Sequence, residues 1–495
     1  MQDRTAFLKR INETHLFYFL WSAIFVLLAT IAIRSDGTYD TGDGISHYII
    51  SRFSFQHPEL FYDLWGKPLF TLLSSPFSQF GLKGIAIFNI TCGMLSALCA
   101  FRIAKLIKLK HAWAILFFCI FSPIYFGVLN SGLTEPLFSL LLVFSILRCF
   151  QGKGLQAAFI FSFAPFVRPE ANFLIPVFVV YFLFNKNFKA IPLLFAGTVL
   201  FSVIGYFHFH DILWLKTQSP YTAANGMKYG EVHGEFFSYL KEYEHLIGKA
   251  LLYPFVAGCF FFFLYPFIRK FEGKVEGEKE GLSVLFFKEE FLLLYGCLFA
   301  VIIVHTVVWW KGIFPTLGLL RYMSNIIPLA SILCLRGLNF IFIYVNSKWI
   351  RLTITIIFCA WIFSTPFNEF YYPFTFVQGE EAVVKQSSDW LLKEHLEKNM
   401  IYSSHPYSIP LIGIDPYDGT KFNRCVSLHA DKPGEGVPVN SIIIWDAHYS
   451  AHDDHLPAKI FLESSDFKLL KKFEPPQPFT VFGDTPFEMY IFQRI

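Results

Sequence analysis

The sequence predicts a polytopic α-helical membrane protein with a small α/β domain at its C-terminal end. Three observations carry that expectation. Of 495 residues, 54% are hydrophobic and only 16% charged, against about 25% charged in ordinary soluble domains, and the mean hydropathy is +0.46. Apolar windows long enough to cross about 30 Å of hydrocarbon recur about eleven times. From about position 375 onward the pattern gives way to short alternating runs punctuated by Pro and Gly. Such a chain cannot cover a soluble surface, so membrane lipids are its surroundings. A net charge of +3 is too small to point to nucleic acid.

In order, the windows fall near 16–34, 83–104, 111–129, 133–150, 155–167, 172–184, 190–208, 247–268, 291–310, 321–345 and 350–366. The start, MQDRTAFLKRINETH, carries no small-residue cleavage signal near the end of the run that follows, so the first window reads as an uncleaved span. The fifth and sixth windows are short and broken at Arg168-Pro169-Glu170. Nine cysteines occur, eight of them in apolar runs where a thiol behaves as a small hydrophobe. No CxxC spacing is present, which argues against a disulfide framework or a zinc ribbon. The 62 Phe residues read as lipid-facing and core filler.

Lysine and arginine bias sets the orientation. Arg4, Lys9, Arg10, Arg102, Lys105, Lys108, Lys110, Arg148, Lys153, Lys186, Lys189, Arg269, Lys270, Lys348 and Arg351 crowd one set of loops. That set is expected to be cytoplasmic, with the N-terminus. The other set takes 35–82, the turn near 130–134, Arg168–Glu170, 209–246, 311–320 and the tail from about 368. The domains expected are thus a transmembrane unit, 1–367, whose first outer loop is 35–82, and an extracytoplasmic α/β unit, 368–495. In the tail, a helix is expected at 380–398 and strands at 399–403, 440–446, 467–474 and 488–493. The 209–246 loop could form a lid, and 270–281 reads as a solvated linker.

The candidate chemistry lies on the outer side. Asp43 has Asp40 and His47 beside it, and His47 at i+4 shares its helical face. Ile45, Tyr48, Ile49, Arg52 and Phe53 repeat at three and four, as in a helix lying in the interface. Asp43 suits an N-cap of that helix as well as a general base or metal ligand. Lys67-Pro68 can snorkel at the surface or pair with a phosphate. Thr134-Glu135-Pro136 makes a good helix start, and also offers a second carboxylate facing Asp43. Arg168 and Glu170 interrupt apolar sequence, as residues lining a polar cavity do, or pair with each other. Arg321-Tyr322 suits an interfacial anchor or a phosphate clamp, with His305 and Lys311 near in sequence. The tail run Trp445-Asp-Ala-His448-Tyr-Ser-Ala-His452-Asp-Asp-His455 reads as a polar loop after a strand in preference to a metal site. His405-Pro406 is an equally weak signal.

A first span, a long outer loop with an acidic motif and an amphipathic helix, then a Lys-Pro-Leu segment leading to the second span together resemble the GT-C superfamily of integral-membrane glycosyltransferases. Protein O-mannosyltransferases and the aminoarabinose transferases of lipid A belong to that superfamily, and the chain resembles bacterial members of this kind. Asp43 matches the first-loop acidic residue, although Gly44 stands where the family often has a second acid; Asp40 or His47 would replace it. The resemblance implies a polyprenyl-phosphate-linked sugar as donor and an acceptor hydroxyl on a protein, lipid or glycan. It implies Asp43 as general base with Glu135 and His47 as catalytic partners, and inversion at the anomeric carbon. Lys67, Arg168, Arg321 and Tyr322 would bind the lipid phosphate, with Asp40 and Glu170 lining the cavity. No cofactor is required by it, though a divalent cation (Mg2+ or Mn2+) on Asp43 and Glu135 would also neutralise the leaving group. The location implied is a bacterial inner (plasma) membrane. Two rival readings share many of these features. A lipid-linked glycan flippase or transporter would also hold intramembrane charge, but no repeat of hydropathy halves is visible. A polysaccharide polymerase or ligase uses similar substrates, usually with its large outer loop late in the chain.

Overall fold

The structure, a computed structural model, describes residues 13–220, 233–271, 289–313, 316–370, 377, 379–481 and 484–495, and the side chains of these except 262–271. Arg4, Lys9 and Arg10, the middle of the 209–246 loop and most of the 270–281 linker lie outside the described residues.

Among the described residues, five helices are long and apolar enough to cross a membrane: Glu13–Arg34, Gly81–Leu106, Glu290–Lys311, Leu320–Tyr344 and Lys348–Asn368. Two further apolar helices, Ala112–Ile120 and Pro123–Leu129, meet at 69°, the geometry of a broken span or a re-entrant loop. The break has a local cause. Pro123 lacks a backbone N–H and drives the residue before it out of helical geometry, and Ser122 sits at φ −59°, ψ 127°. The same happens before Pro169, where Arg168 is extended at φ −150°, ψ 126°. Each of the eleven apolar windows falls on helix; of the remaining ones, Glu135–Phe150, Gly154–Phe166, Pro169–Phe184 and Ala196–Phe209 are short, while Leu252–Phe271 runs 20 residues. About eleven spans of full length are therefore not observed among the described residues.

Burial separates the helices into an inner and an outer set. The apolar windows of Gly81–Leu106 and Leu320–Tyr344 are 78% and 72% buried, whereas those of Glu13–Arg34 and Lys348–Asn368 are 28% buried. The outer helices turn Phe19, Val26, Ile33, Ile356 and Ile357 outward. An apolar band of that kind is stable only against hydrocarbon, and the chain is an integral membrane protein.

The C-terminal stretch begins with the helix Glu380–Lys393. Its strands are β1 (Ile401–Ser403), β2 (Phe422–Asn423), β3 (Ile442–Asp446), β4 (Phe467–Phe473), β5 (Thr480–Val481), β6 (Thr485–Pro486) and β7 (Met489–Arg494). Five form one sheet in the order β2-β1-β3-β7-β4, and β5 pairs with β6 separately. β1 runs parallel to β2 and β3, while β7 is antiparallel to β3 and β4. All five residues of β3 are buried, as expected of a central strand covered on both faces.

This sheet region touches the first loop. Thr41 Oγ1 donates to Glu381 Oε1 at 2.9 Å, and His57 Nε2 lies 2.9 Å from Asp415 Oδ2. Tyr449 covers Gly42, where a Cβ would stand 3.1 Å from its hydroxyl oxygen.

Candidate functional site

The loop helix runs Asp43–Phe53, as the three-and-four repeat predicts, and its apolar face is buried through Ile45, Tyr48, Ile49 and Ile50. Asp43 does not cap it. Asp40 Oδ1 accepts the Gly44 N–H at 2.6 Å instead, so the nearer carboxylate tends the helix start and Asp43 is left for another partner. The helix start is pressed against the turn before Glu135: a Cβ on Gly132 would lie 2.1 Å from the Gly44 carbonyl oxygen. Only glycine permits that approach, and it brings Asp43 and Glu135 to one place.

Arg321, in the turn Leu320–Ile326 that opens a spanning helix, is the hub. Its Nη1 lies 2.5 Å from Asp40 Oδ2, its Nη2 pairs with Asp43 Oδ2, and its Nε stands 3.8 Å from Glu135 Oε1. A second guanidinium, on Arg168, lies 2.6 Å from Glu135 Oε1 and 2.7 Å from Glu170 Oε1. Arg168 also donates to Thr134 Oγ1 at 3.2 Å, so the Thr134 side chain does not cap the following helix. Tyr322 lies under Arg168, with its ring centre 5.0 Å from the guanidinium carbon. His305 stacks on the same tyrosine.

Asp40, Asp43, Glu135, Glu170, Arg168, Arg321 and Tyr322 are thus one cluster, drawn from four separated parts of the chain. The Arg321 guanidinium lies against both Asp43 and Glu135, the pair expected to share a divalent cation. No group of three His, Cys, Asp or Glu side chains suited to a metal ion occurs among the described residues.

Lys67 and His47 lie on the near side of this cluster. Lys67 is 8% exposed and takes a left-handed backbone, φ 64°, a conformation rare for a residue with a side chain. Pro68 immediately begins the next helix. Burial lowers its ammonium to about 8, although Glu170 nearby favours the charge. His47 is stacked on Trp65 at 4.7 Å, and burial together with Lys67 holds it at about 3, so it is neutral at physiological pH. The two loop carboxyls are pushed apart. Burial raises Asp40 above the usual carboxylate range, and Arg321 only partly offsets this. Burial acts the same way on Asp43, but Arg321 outweighs it and the carboxyl is held below that range.

Accessibility in the cluster is concentrated on one side chain. Glu135 is fully buried and Arg168 and Arg321 nearly so, while the Asp43 side chain keeps 48% of its surface accessible. Asp43 is thus the most accessible carboxylate of the cluster. Several buried polar atoms have no hydrogen-bond partner, among them Glu135 Oε2, Glu170 Oε2, His47 Nδ1 and Nε of both arginines. Buried polar atoms are rarely left so, and these five lie in or beside the ionic cluster. Removing one side of a buried ion pair strands the other, at a cost of about 3–5 kcal/mol. Arg168→Ala is accordingly expected to lower the thermal unfolding midpoint of the purified protein sharply, and an unchanged midpoint would show that Glu135 does not depend on it.

A second polar cluster sits in the tail and joins His405 and His448, which the sequence named separately, to Glu380, which it did not. Glu380 Oε1 lies 2.7 Å from His405 Nε2 and 2.9 Å from His448 Nδ1. Burial opposes charge on Glu380, but its bonds to the two histidines bring it down to about 2. The signal available was the acidic start of the helix at 380, but its histidine partners are 25 and 68 positions away. His452 pairs instead with Asp453. Asp446 is buried and accepts the backbone N–H groups of His448 and Tyr449, so the tail run is a hydrogen-bonded turn after β3.

No family model and no curated protein matches this sequence. Solved structures do match its shape. The crystal structure of ArnT from Cupriavidus metallidurans bound to undecaprenyl phosphate superposes over 95% of this chain and 98% of that one, with a TM-score of 0.54 and 11% identity. The apo state of the same protein gives 0.55 over 96% and 98%, at 12% identity. Arabinofuranosyltransferase AftD from mycobacteria covers 96% of this chain and 40% of its own, with a TM-score of 0.49 and 11% identity. Over almost its whole length, then, this chain shares the fold of ArnT.

Proposed function

We propose that the protein transfers a sugar from a polyprenyl-phosphate-linked donor to an acceptor hydroxyl at the outer face of a bacterial inner membrane, with inversion and with Asp43 as general base. The N-terminus would then be cytoplasmic and the C-terminal sheet extracytoplasmic. The observation that carries this reading is the Arg321 fork, which joins an accessible aspartate to a largely buried cluster of carboxylates and cations. A lipid phosphate arriving at Arg321 and Lys67 would compete with the carboxylates for the guanidinium. Asp43, relieved of that partner, becomes a stronger base at the moment it is needed. The acceptor oxygen attacks the anomeric carbon, its proton passes to Asp43, and the bond to the phosphate oxygen breaks with its electron pair. Lys67 and Arg321 stabilise the charge that develops on the departing polyprenyl phosphate. A GT-C-fold neighbour solved with undecaprenyl phosphate bound supports a lipid phosphate as leaving group.

The test is transfer of labelled sugar from polyprenyl-phosphate donors by the purified chain in proteoliposomes, with the anomeric configuration of the product read by NMR. Retained configuration would contradict the single displacement. The Lys67 ammonium also gives the reading a pH signature. It is charged below about 8 and loses its charge above, so the donor KM is expected to rise as pH climbs through that value. Lys67→Met should raise the KM at neutral pH and flatten this limb. A limb that survives the substitution would place the titrating group elsewhere.

A further inference from the structure

A cavity of about 300 Å³ lies outside the ionic cluster, between the outward end of the helix Glu13–Arg34, the start of the helix Gly81–Leu106 and the tail residues Tyr407–Leu411. Its lining is mixed, with Ala32, Ala86 and Leu411 beside Asp36, Lys83 and Asn130. Three features point to a ligand. First, the helix Gly81–Leu106 has 26 residues, no side chain capping its start and no acid in its first turn, so the positive end of its dipole is uncompensated. Lys83 in that turn is exposed and makes no ion pair among the described residues. Second, Asn130 is 4% exposed; its side-chain amide donates to Phe126 O and its backbone carbonyl accepts from Tyr39 and Thr38. Its Oδ1, however, has no hydrogen-bond partner. This acceptor wants an N–H or O–H. Third, Asp36 places an exposed carboxylate in the same lining.

A cation and helix start, facing a carboxylate and an unmet acceptor, match a zwitterion whose positive end carries hydrogens. The position says where such a molecule comes from. The cavity joins the ends of two spanning helices, and Phe80 beside it is 79% exposed, as an aromatic at a membrane interface would be.

We propose that this cavity binds the headgroup of a membrane phospholipid bearing a primary amine, such as phosphatidylethanolamine. The phosphate lies at the start of the helix Gly81–Leu106 with Lys83, and the ammonium lies between Asp36 and Asn130 Oδ1. The acyl chains leave along Phe80 into the bilayer. Gly37 and Thr38 line the cavity just ahead of Asp40, so an occupant braces the loop that carries the ionic cluster. A quaternary headgroup would leave Asn130 Oδ1 unmet, and an anionic one would leave Asp36 unmatched.

The experiment is native mass spectrometry of the full chain released from nanodiscs holding equal amounts of phosphatidylethanolamine, phosphatidylcholine and phosphatidylglycerol. The amine lipid should be retained about tenfold over each of the others, the scale of one hydrogen bond to a charged group. Asp36→Ala and Lys83→Glu change exposed side chains and should erase the preference while the protein stays monodisperse. No preference, or a preference for phosphatidylglycerol, would overturn the assignment, as would selectivity unchanged in both variants. Soluble glycerophosphoethanolamine that bound as tightly as the lipid would overturn the membrane source.

Discussion

Asp43→Asn is expected to abolish sugar transfer, with a loss of roughly 10²–10⁴ in kcat, the range supplied by a positioned general base. The substitution keeps the shape of the side chain, and the amide oxygen can still accept from Arg321. Arg321 retains its partner Asp40 and stays near Glu135, so insertion, folding and donor binding should survive. What disappears is a group able to take the acceptor proton. Asp40→Asn is the informative contrast. Asp40 holds the Gly44 N–H and is far less accessible than Asp43, so its loss should act through loop geometry and cost less turnover. Turnover in proteoliposomes decides between them: near-normal rates in Asp43→Asn would remove Asp43 from the chemistry.

The second large effect belongs to Arg321. Arg321→Ala leaves Asp40 and Asp43 adjacent with no shared cation and takes one of two guanidinium neighbours from Glu135. Stability should fall by about 3–5 kcal/mol, the cost of stranding buried charge. In whatever folded protein remains, the donor KM should rise by roughly 10- to 100-fold, since hydrogen bonds to charged groups contribute about 1.5–3 kcal/mol. Arg321→Lys separates the two effects. It restores the charge but not the fork, which alone can span Asp40 and Asp43 at once. Stability should recover in large part while donor affinity recovers little. Equal recovery of both would mean that Arg321 acts only as a counter-ion.

Much of the membrane architecture was legible because hydrophobic content is a property of local sequence. Every apolar window lies on helix, and the breaks at Pro123 and Pro169 obey the local rule for residues before proline. Their consequence, helices too short to span alone, was harder to read, since a window of composition does not register a 69° bend. Within the site, the residue types were legible but their division of labour was not. Asp43 looked like a cap; Asp40 does that work, because Arg321, 278 positions away, draws Asp43 off. Likewise Thr134, Glu135 and Pro136 do open a helix as expected, but Arg168 takes the side chains of Thr134 and Glu135. The union of Glu380 with His405 and His448, and of Thr41 with Glu381, depends on how the tail folds and docks. No periodicity encodes such pairings.

The most direct measurement is a structure of the full chain with undecaprenyl phosphate. The expected result places phosphate oxygens within about 3 Å of Lys67 Nζ and the Arg321 guanidinium, with Arg321 drawn off Asp43 and that carboxylate left accessible. A phosphate bound away from both cations, with Arg321 still forked across Asp40 and Asp43, would contradict the account.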